Sequence, residues 1–197
     1  MKKYDFSLLP TPHIEVDEVG QNCLAGPVTA AAVIFNSKID VRKYKDSKQL
    51  SPDQRRVLSL SIHKHHLVAI GWASVEEIDE LNILQASLLA MRRAVQLLQI
   101  KSGTILVDGL QRVPDMGSFE QRPIVKGDEK LCLISAASIV AKVARDQFMT
   151  ELAGELGQYG FEKHKGYGTL FHRKQIQAVG PSKWHRQSFS GVKEYLR

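Results

Sequence analysis

Along residues 13–17 (His-Ile-Glu-Val-Asp) apolar and polar side chains alternate, the period of a strand. Residues 28–35 are a continuous Ala/Val-rich run that suits a buried return strand. Ser51-Pro52-Asp53-Gln54 puts serine at an N-cap, proline at the first helical position and glutamine where it can reach back, a capping box that opens a helix to about residue 66. Residues 67–75 read as the next strand. Ser74 caps a short helix over 76–81, and apolar residues at helical spacing predict an amphipathic helix from 83 to about 99. Short buried strands are expected at 104–109 and 122–126, then a long Ala-rich helix at 133–156, a loop at 160–168 and a helix at 170–179. Strands come first as a meander and then alternate with helices. That order predicts a mixed α/β sheet covered by helices, with a small helical C-terminal appendage. The division falls between residues 1–155 and 156–197, and no repeat, low-complexity tract or linker interrupts it.

Composition supports a folded chain: 43% of the 197 residues are hydrophobic and 24% are charged, enough for a core and too apolar for wholesale disorder. No apolar run approaches the ~20 residues that cross a bilayer. The start, Met1-Lys2-Lys3-Tyr4-Asp5-Phe6, lacks the apolar stretch of a signal peptide. Two cysteines, Cys23 and Cys132, fit a reducing compartment. A cytoplasmic, soluble monomer is the expectation. Charge changes the picture more: the net +6 resides wholly in residues 156–197, with His164, His172 and His185 beside it. Such a surface favours a polyanion.

Three predicted strands end on acid, at Asp17-Glu18, Asp108 and Asp128. Ligand sites in open α/β sheets gather where strands end. Crowded carboxylates repel unless a cation neutralises them, and hard divalent cations prefer oxygen ligands. No His/Cys grouping nearby suggests zinc. Two such cations would suit phosphodiester hydrolysis. His63, His65 and His66 fall at a predicted helix end, where they complement its dipole. Cys23 lies near acids that discourage its thiolate, and Asp146 reads as structural.

Asp17-Glu18-Val19-Gly20 followed by Leu24-Ala25-Gly26-Pro27-Val28 resembles the opening of the ribonuclease HII family, the type 2 ribonucleases H. Asp46-Ser47-Lys48-Gln49-Leu50-Ser51 is similar to its next segment. Ile78-Asp79-Glu80-Leu81-Asn82, Val107-Asp108-Gly109 and Lys126-Gly127-Asp128 follow in the family's order. So do the run from Ser135 to Asp146, His164-Lys165-Gly166-Tyr167-Gly168-Thr169, and Arg186-Gln187-Ser188-Phe189. The resemblance implies a ribonuclease H-like fold, a mixed sheet flanked by helices with a small C-terminal helical extension. It implies an endoribonuclease that cuts the RNA strand of RNA–DNA hybrids and ribonucleotides embedded in duplex DNA by two-metal-ion catalysis. Such a cut leaves a 5′-phosphate and a 3′-hydroxyl, with Mg²⁺ or Mn²⁺ as metal, in ribonucleotide excision and DNA replication and repair. On matching positions, Asp17, Glu18, Asp108 and Asp128 become the metal-binding, catalytic carboxylates. Ser47, Lys48, Ser138 and Lys142 become contacts to the substrate backbone, and Tyr167 the tyrosine that stacks at the RNA–DNA junction. The residue types suit these roles. Ser and Lys donate to phosphate, Ser138 and Lys142 share one helix face, and a glycine-flanked tyrosine offers a stacking surface.

The chain departs from the family in the loop that recognises the 2′-hydroxyl. Gly20-Gln21-Asn22-Cys23 stands where Gly-Arg-Gly-Pro is usual. Gln21 lacks the charge and fork of arginine, and Asn22 adds a side chain where glycine permits close approach. Leu110 replaces a usual asparagine. Glu15 replaces a usual glycine and shares a strand face with Asp17, reading either as an exposed strand-edge acid or as a fifth carboxylate near the metals. Two functions remain open: an active hybrid-directed endonuclease, and a catalytically weak protein that binds hybrid or duplex nucleic acid.

Overall fold

The computed structural model describes residues 10–36, 44 and 47–196. The readings made on residues 1–6 and on Asp46 lie outside the described residues. Local chemistry sets the elements much as their sequences require. Two strands, β1 (His13–Val19) and β2 (Val28–Ile34), precede a 3-10 turn at Ser47–Gln49. Ser51 and Gln54 close the expected capping box on α1 (Pro52–His65), and Ser74 and Glu77 close another on α2 (Val75–Leu81). Between them runs β3 (Leu67–Ala73). Asn82, at φ 71°, breaks the chain after α2 and caps α3 (Ile83–Leu97) by accepting from the Leu84 and Gln85 N–H groups.

The second half alternates as expected, with β4 (Gly103–Asp108), β5 (Phe119–Ile124), α4 (Gly127–Lys130) and the long α5 (Cys132–Glu155). A 3-10 turn (Gly157–Tyr159), α6 (Phe161–His164), α7 (Leu170–Val179) and a last 3-10 turn (Lys193–Tyr195) form the extension. Two boundaries differ from the sequence reading. The fifth strand covers 119–124 rather than 122–126, because its Arg122 and Pro123 hide the usual apolar run. The segment at 160–168 contains the single helical turn α6.

The five strands are ordered β3-β2-β1-β4-β5. β1 pairs antiparallel with β2 and parallel with β4, which places it in the middle of the sheet. Both faces are covered. Ile14, Val16, Ala30, Ala32, Ile105 and Val107 pack under α3, and Ala31 and Val33 pack under α5 and α1. Alanine-rich contact surfaces let helix and sheet approach closely. The extension is tied to the loop after β1 by isolated bridges from Cys23 to Tyr167 and from Ala25 to His185.

Inside it, His185 Nδ1 accepts from the Ser182 N–H at 2.9 Å. That leaves His185 Nε2 to donate to His172 Nε2 at 3.0 Å, and His172 Nδ1 to donate to the Tyr167 carbonyl at 2.9 Å. Burial pulls both imidazoles down to about 4, so this relay is neutral and fixes the backbone at Tyr167.

Gly71 shows how tight the sheet–helix contact is. A Cβ there would lie 2.1 Å from the Ala90 carbonyl oxygen of α3. Gly71→Ala is therefore expected to destabilise the protein by about 1–3 kcal/mol in urea unfolding. A variant as stable as the parent would show that α3 does not seat on β3 in this way.

Candidate active site

Because β1 and β4 run parallel as neighbours, their C-terminal ends emerge side by side and deliver Asp17 and Asp108 to one edge of the sheet. Asp128 arrives differently from the sequence reading. It does not end a strand, but lies in the first turn of α4, which the chain enters through Lys126 at φ 54°. Carboxylate oxygens of Asp17, Asp108 and Asp128 lie within 4.8 Å of one another. Asp17 and Asp128 are 3% and 6% exposed.

Glu18, the next residue along β1 after Asp17, is not among the three acids within 4.8 Å of one another. It still feels the trio. Burial, then Asp108, push its carboxyl up to about 7, with Asp128 adding to the shift and Lys48 opposing it. Asp17 is raised well above the ordinary range by burial, then by Glu18, Asp108 and Asp128. Asp108 is raised too, chiefly by burial, against the pull of the Gly127 N–H. These directions describe carboxylates forced together without enough positive charge. An all-oxygen donor set with no His or Cys in the trio fits a hard divalent cation.

Hydrogen bonds hold the acids in register. The Gly127 N–H donates to Asp108 Oδ1 at 2.6 Å, the Glu18 N–H to Asp17 Oδ1 at 2.7 Å, and Lys48 Nζ to Asp128 Oδ2 at 2.8 Å. Ser135 Oγ donates to the Asp128 carbonyl at 2.6 Å. Ser47 Oγ and Ser138 Oγ are 2.9 Å apart, and Ser138 acts to lower the Asp17 pKa against the prevailing rise. Ser47, Lys48 and Ser138 thus gather around the acids. Lys142 and Tyr167 form a second group: Lys142 Nζ lies 5.5 Å from the Tyr167 ring centroid and donates to Asp146 Oδ1 at 2.7 Å. Asp146 lies outside the acid trio.

The loop that follows β1 is a turn closed by the Cys23 N–H on the Gly20 carbonyl at 3.3 Å. Gly20 takes φ +101°, whereas Asn22 keeps a negative φ, so its side chain brings no left-handed strain. Asn22 is exposed and Cys23 fully buried. Gln21 does not reach outward; its Nε2 donates to Glu18 Oε1 at 2.7 Å.

Glu15 is not an exposed strand-edge acid. β1 is central in the sheet, so Glu15 is buried at 1% exposure, its Oε2 has no hydrogen-bond partner among the described residues, and burial raises its pKa well above normal. It is not one of the three clustered acids.

The family model for ribonuclease HII matches residues 14–192. The chain belongs to the ribonuclease HII family. Ribonuclease HII of Pelagibacter ubique is 49% identical over 181 residues, covering 92% of this chain and 97% of the relative. That of Geotalea uraniireducens is 45% identical over 183 residues, covering 92% and 84%. Among solved structures, ribonuclease HII in the PCNA:RNase HII complex from Archaeoglobus fulgidus superimposes with a TM-score of 0.77 at 25% identity, covering 94% of this chain and 97% of that one. A ribonuclease HIII in complex with Mn²⁺ shares the fold, with a TM-score of 0.71 at 18% identity over 96% of this chain and 70% of its own. Ribonucleases HII are metal-dependent endonucleases that act on RNA–DNA hybrids, and membership makes this chain a ribonuclease H.

Sequence reasoning missed Arg145 and Arg186, both 0% exposed. It counted Arg186 within the basic surface of the extension, yet that charge is interior. An isolated arginine carries no periodic signal of burial, so only the fold could reveal it.

Asp108→Asn keeps shape and removes one of the repelling charges. Hybrid cleavage is expected to fall by more than the ~10–100-fold typical of a residue beyond the ligands themselves. Metal-free stability is expected to move the opposite way. Groups whose folded pKa is raised cost stability as pH rises from the unfolded toward the folded value. The variant should therefore melt higher than the parent at pH 7.5, with the gap closing toward pH 4. Wild-type cleavage together with an unchanged melting curve would remove Asp108 from the site.

Proposed function

We propose that Asp17, Glu18, Asp108 and Asp128 hold Mg²⁺ or Mn²⁺ and that the chain hydrolyses the RNA strand of RNA–DNA hybrids and ribonucleotides embedded in duplex DNA. The products would be a 5′-phosphate and a 3′-hydroxyl. The observation that supports this most is the trio of carboxylates within 4.8 Å, two of them buried, where burial and crowding raise the Asp17 and Asp108 carboxyls and call for a cation. Cations bound there supply an activated water and stabilise the leaving oxygen.

The chain's own groups do the positioning. Ser47, Lys48 and Ser138 face the scissile region as donors to phosphate oxygens, and Lys48 neutralises part of the acid cluster before substrate arrives. Tyr167, 38% exposed, offers a ring for stacking at the junction, with Lys142 beside it to meet the backbone. A cleft of about 750 Å³ continues from these two residues between α1, α5 and α6, lined by Arg55, Arg56, Lys163 and Lys165 among others. Residues 156–197 serve as a substrate-binding extension to a catalytic domain of 1–155. The setting is the cytoplasm and the working unit a monomer; among the described residues no helix is long and apolar enough to cross a membrane.

Two experiments bear on substrate handling. Lys163 and Lys174 are exposed on the extension, so Lys163→Gln with Lys174→Gln removes charge without disturbing packing. If both meet phosphates, the slope of log affinity against log salt for a hybrid drops by about 1–2. An unchanged slope would take these lysines off the substrate path.

The second concerns the altered loop. Asn22 protrudes at the tip of the turn, and Gln21 is turned inward to Glu18, so neither supplies the close approach or charge expected at a 2′-hydroxyl site. Gln21→Arg with Asn22→Gly is expected to raise cleavage at a lone ribonucleotide relative to a long hybrid. A regained charge-assisted hydrogen bond makes the gain about 10-fold or more. An unchanged ratio of the two rates would mean that this turn does not set junction specificity.

A further inference from the structure

The extension reaches the carboxylate site through the protein interior. Arg186 donates from Nη1 to the Gln21 carbonyl at 2.9 Å, from Nε and Nη2 to the Gly26 carbonyl at 3.0 and 2.9 Å, and from Nη2 to the Pro27 carbonyl at 3.3 Å. Arg145, on α5, donates to the Pro27, Ala25 and Lys165 carbonyls at 2.9, 3.0 and 2.8 Å. Neither guanidinium forms an ion pair with a carboxylate among the described residues. Burying a cation against carbonyls alone is costly. Placing two in one loop fixes that loop's backbone on several sides at once. The clamp is tight at Gly20 as well, where a Cβ would lie 2.3 Å from Arg145 Nε.

What the clamp holds is the turn that carries Gln21. With its carbonyl fixed by Arg186, Gln21 directs its amide Nε2 onto Glu18 Oε1 at 2.7 Å. A neutral donor on one oxygen orients the carboxylate and leaves its charge for a cation. An arginine distant in sequence is thereby in series with the glutamine and with the acid three residues before it.

We infer that Arg186 is a positioning residue for Glu18, acting through Gln21, so that the C-terminal extension sets cation affinity as well as substrate contact. The inference rests on the carboxylate reading above.

The test is Mn²⁺ titration of the full-length protein without nucleic acid, read by electron paramagnetic resonance of the free ion. Gln21→Ala, in a partly exposed turn that tolerates substitution, should weaken Mn²⁺ binding about 10-fold, the low end for a group that orients a ligand. Arg186→Lys should weaken it similarly. The decisive result is their combination, because residues acting in one chain are not additive. The double variant should bind Mn²⁺ no more weakly than the weaker single variant, and hybrid cleavage by each should lose kcat with little change in KM.

If Arg186→Lys does not fold, Arg145→Lys loosens the same turn at Gly20 and carries the same expectation. Effects that multiply in the double variant would reduce the arginine to a structural role and overturn the proposal. So would unchanged Mn²⁺ affinity in Gln21→Ala. Mn²⁺ affinity unmoved by Asp108→Asn is a different failure, since it would defeat the carboxylate reading itself.

Discussion

Like charges crowded in a low-dielectric place are what the rest of this structure has to accommodate. Asp17, Asp108 and Asp128 present oxygens within 4.8 Å of one another, two of them on nearly buried residues. At that spacing carboxylates oppose one another's ionisation, and the Asp17 and Asp108 carboxyls are both raised. The surrounding hydrogen bonds do not cancel this repulsion. The Gly127 N–H, the Glu18 N–H and Lys48 fix where the oxygens sit and leave a net negative hole. A divalent cation completes such a hole, and the parallel pairing of β1 with β4 is the topological device that creates it.

A second constraint follows from the first. A site that is unstable when empty needs walls that do not relax away from it. The α5 helix supplies one wall through Ser135 and Ser138, and the loop after β1 supplies another. That loop would be soft if left to itself, being a turn rich in backbone carbonyls. Arg145 and Arg186 stiffen it from inside, and the His172–His185 relay fixes the neighbouring backbone at Tyr167. The extension is therefore built into the rim of the site.

Much of this was legible in the sequence, and the exceptions share a cause. Capping boxes at Ser51 and Ser74 and the alternation in 13–17 are local patterns, and the elements they predict are present. Acid residues ending strands pointed to the site, and Asp17 and Asp108 sit where that logic puts them. Asp128 reached the same point by another route, because a left-handed Lys126 and a four-residue helix leave no periodic trace. Glu15 could be read as an exposed edge acid only while the strand order was unknown; a central β1 buries it. The interior arginines were hidden for the same reason. Which polar residues a fold encloses is decided by pairings distant in sequence, and here by loop-to-extension contacts more than 100 residues apart, such as Arg186 with Gly26.

The central claim is that a cation takes the place of protons which the crowded acids otherwise retain. Calorimetry of Mn²⁺ binding to the metal-free protein, repeated in buffers of different ionisation enthalpy, counts those protons directly. With Glu18 held up to about 7 and Asp17 raised well above its ordinary range by burial and its acidic neighbours, binding at pH 6.5 should release protons, and the release should shrink as pH rises. Binding with no proton release at pH 6.5, or with none lost on Asp17→Asn substitution, would contradict the account.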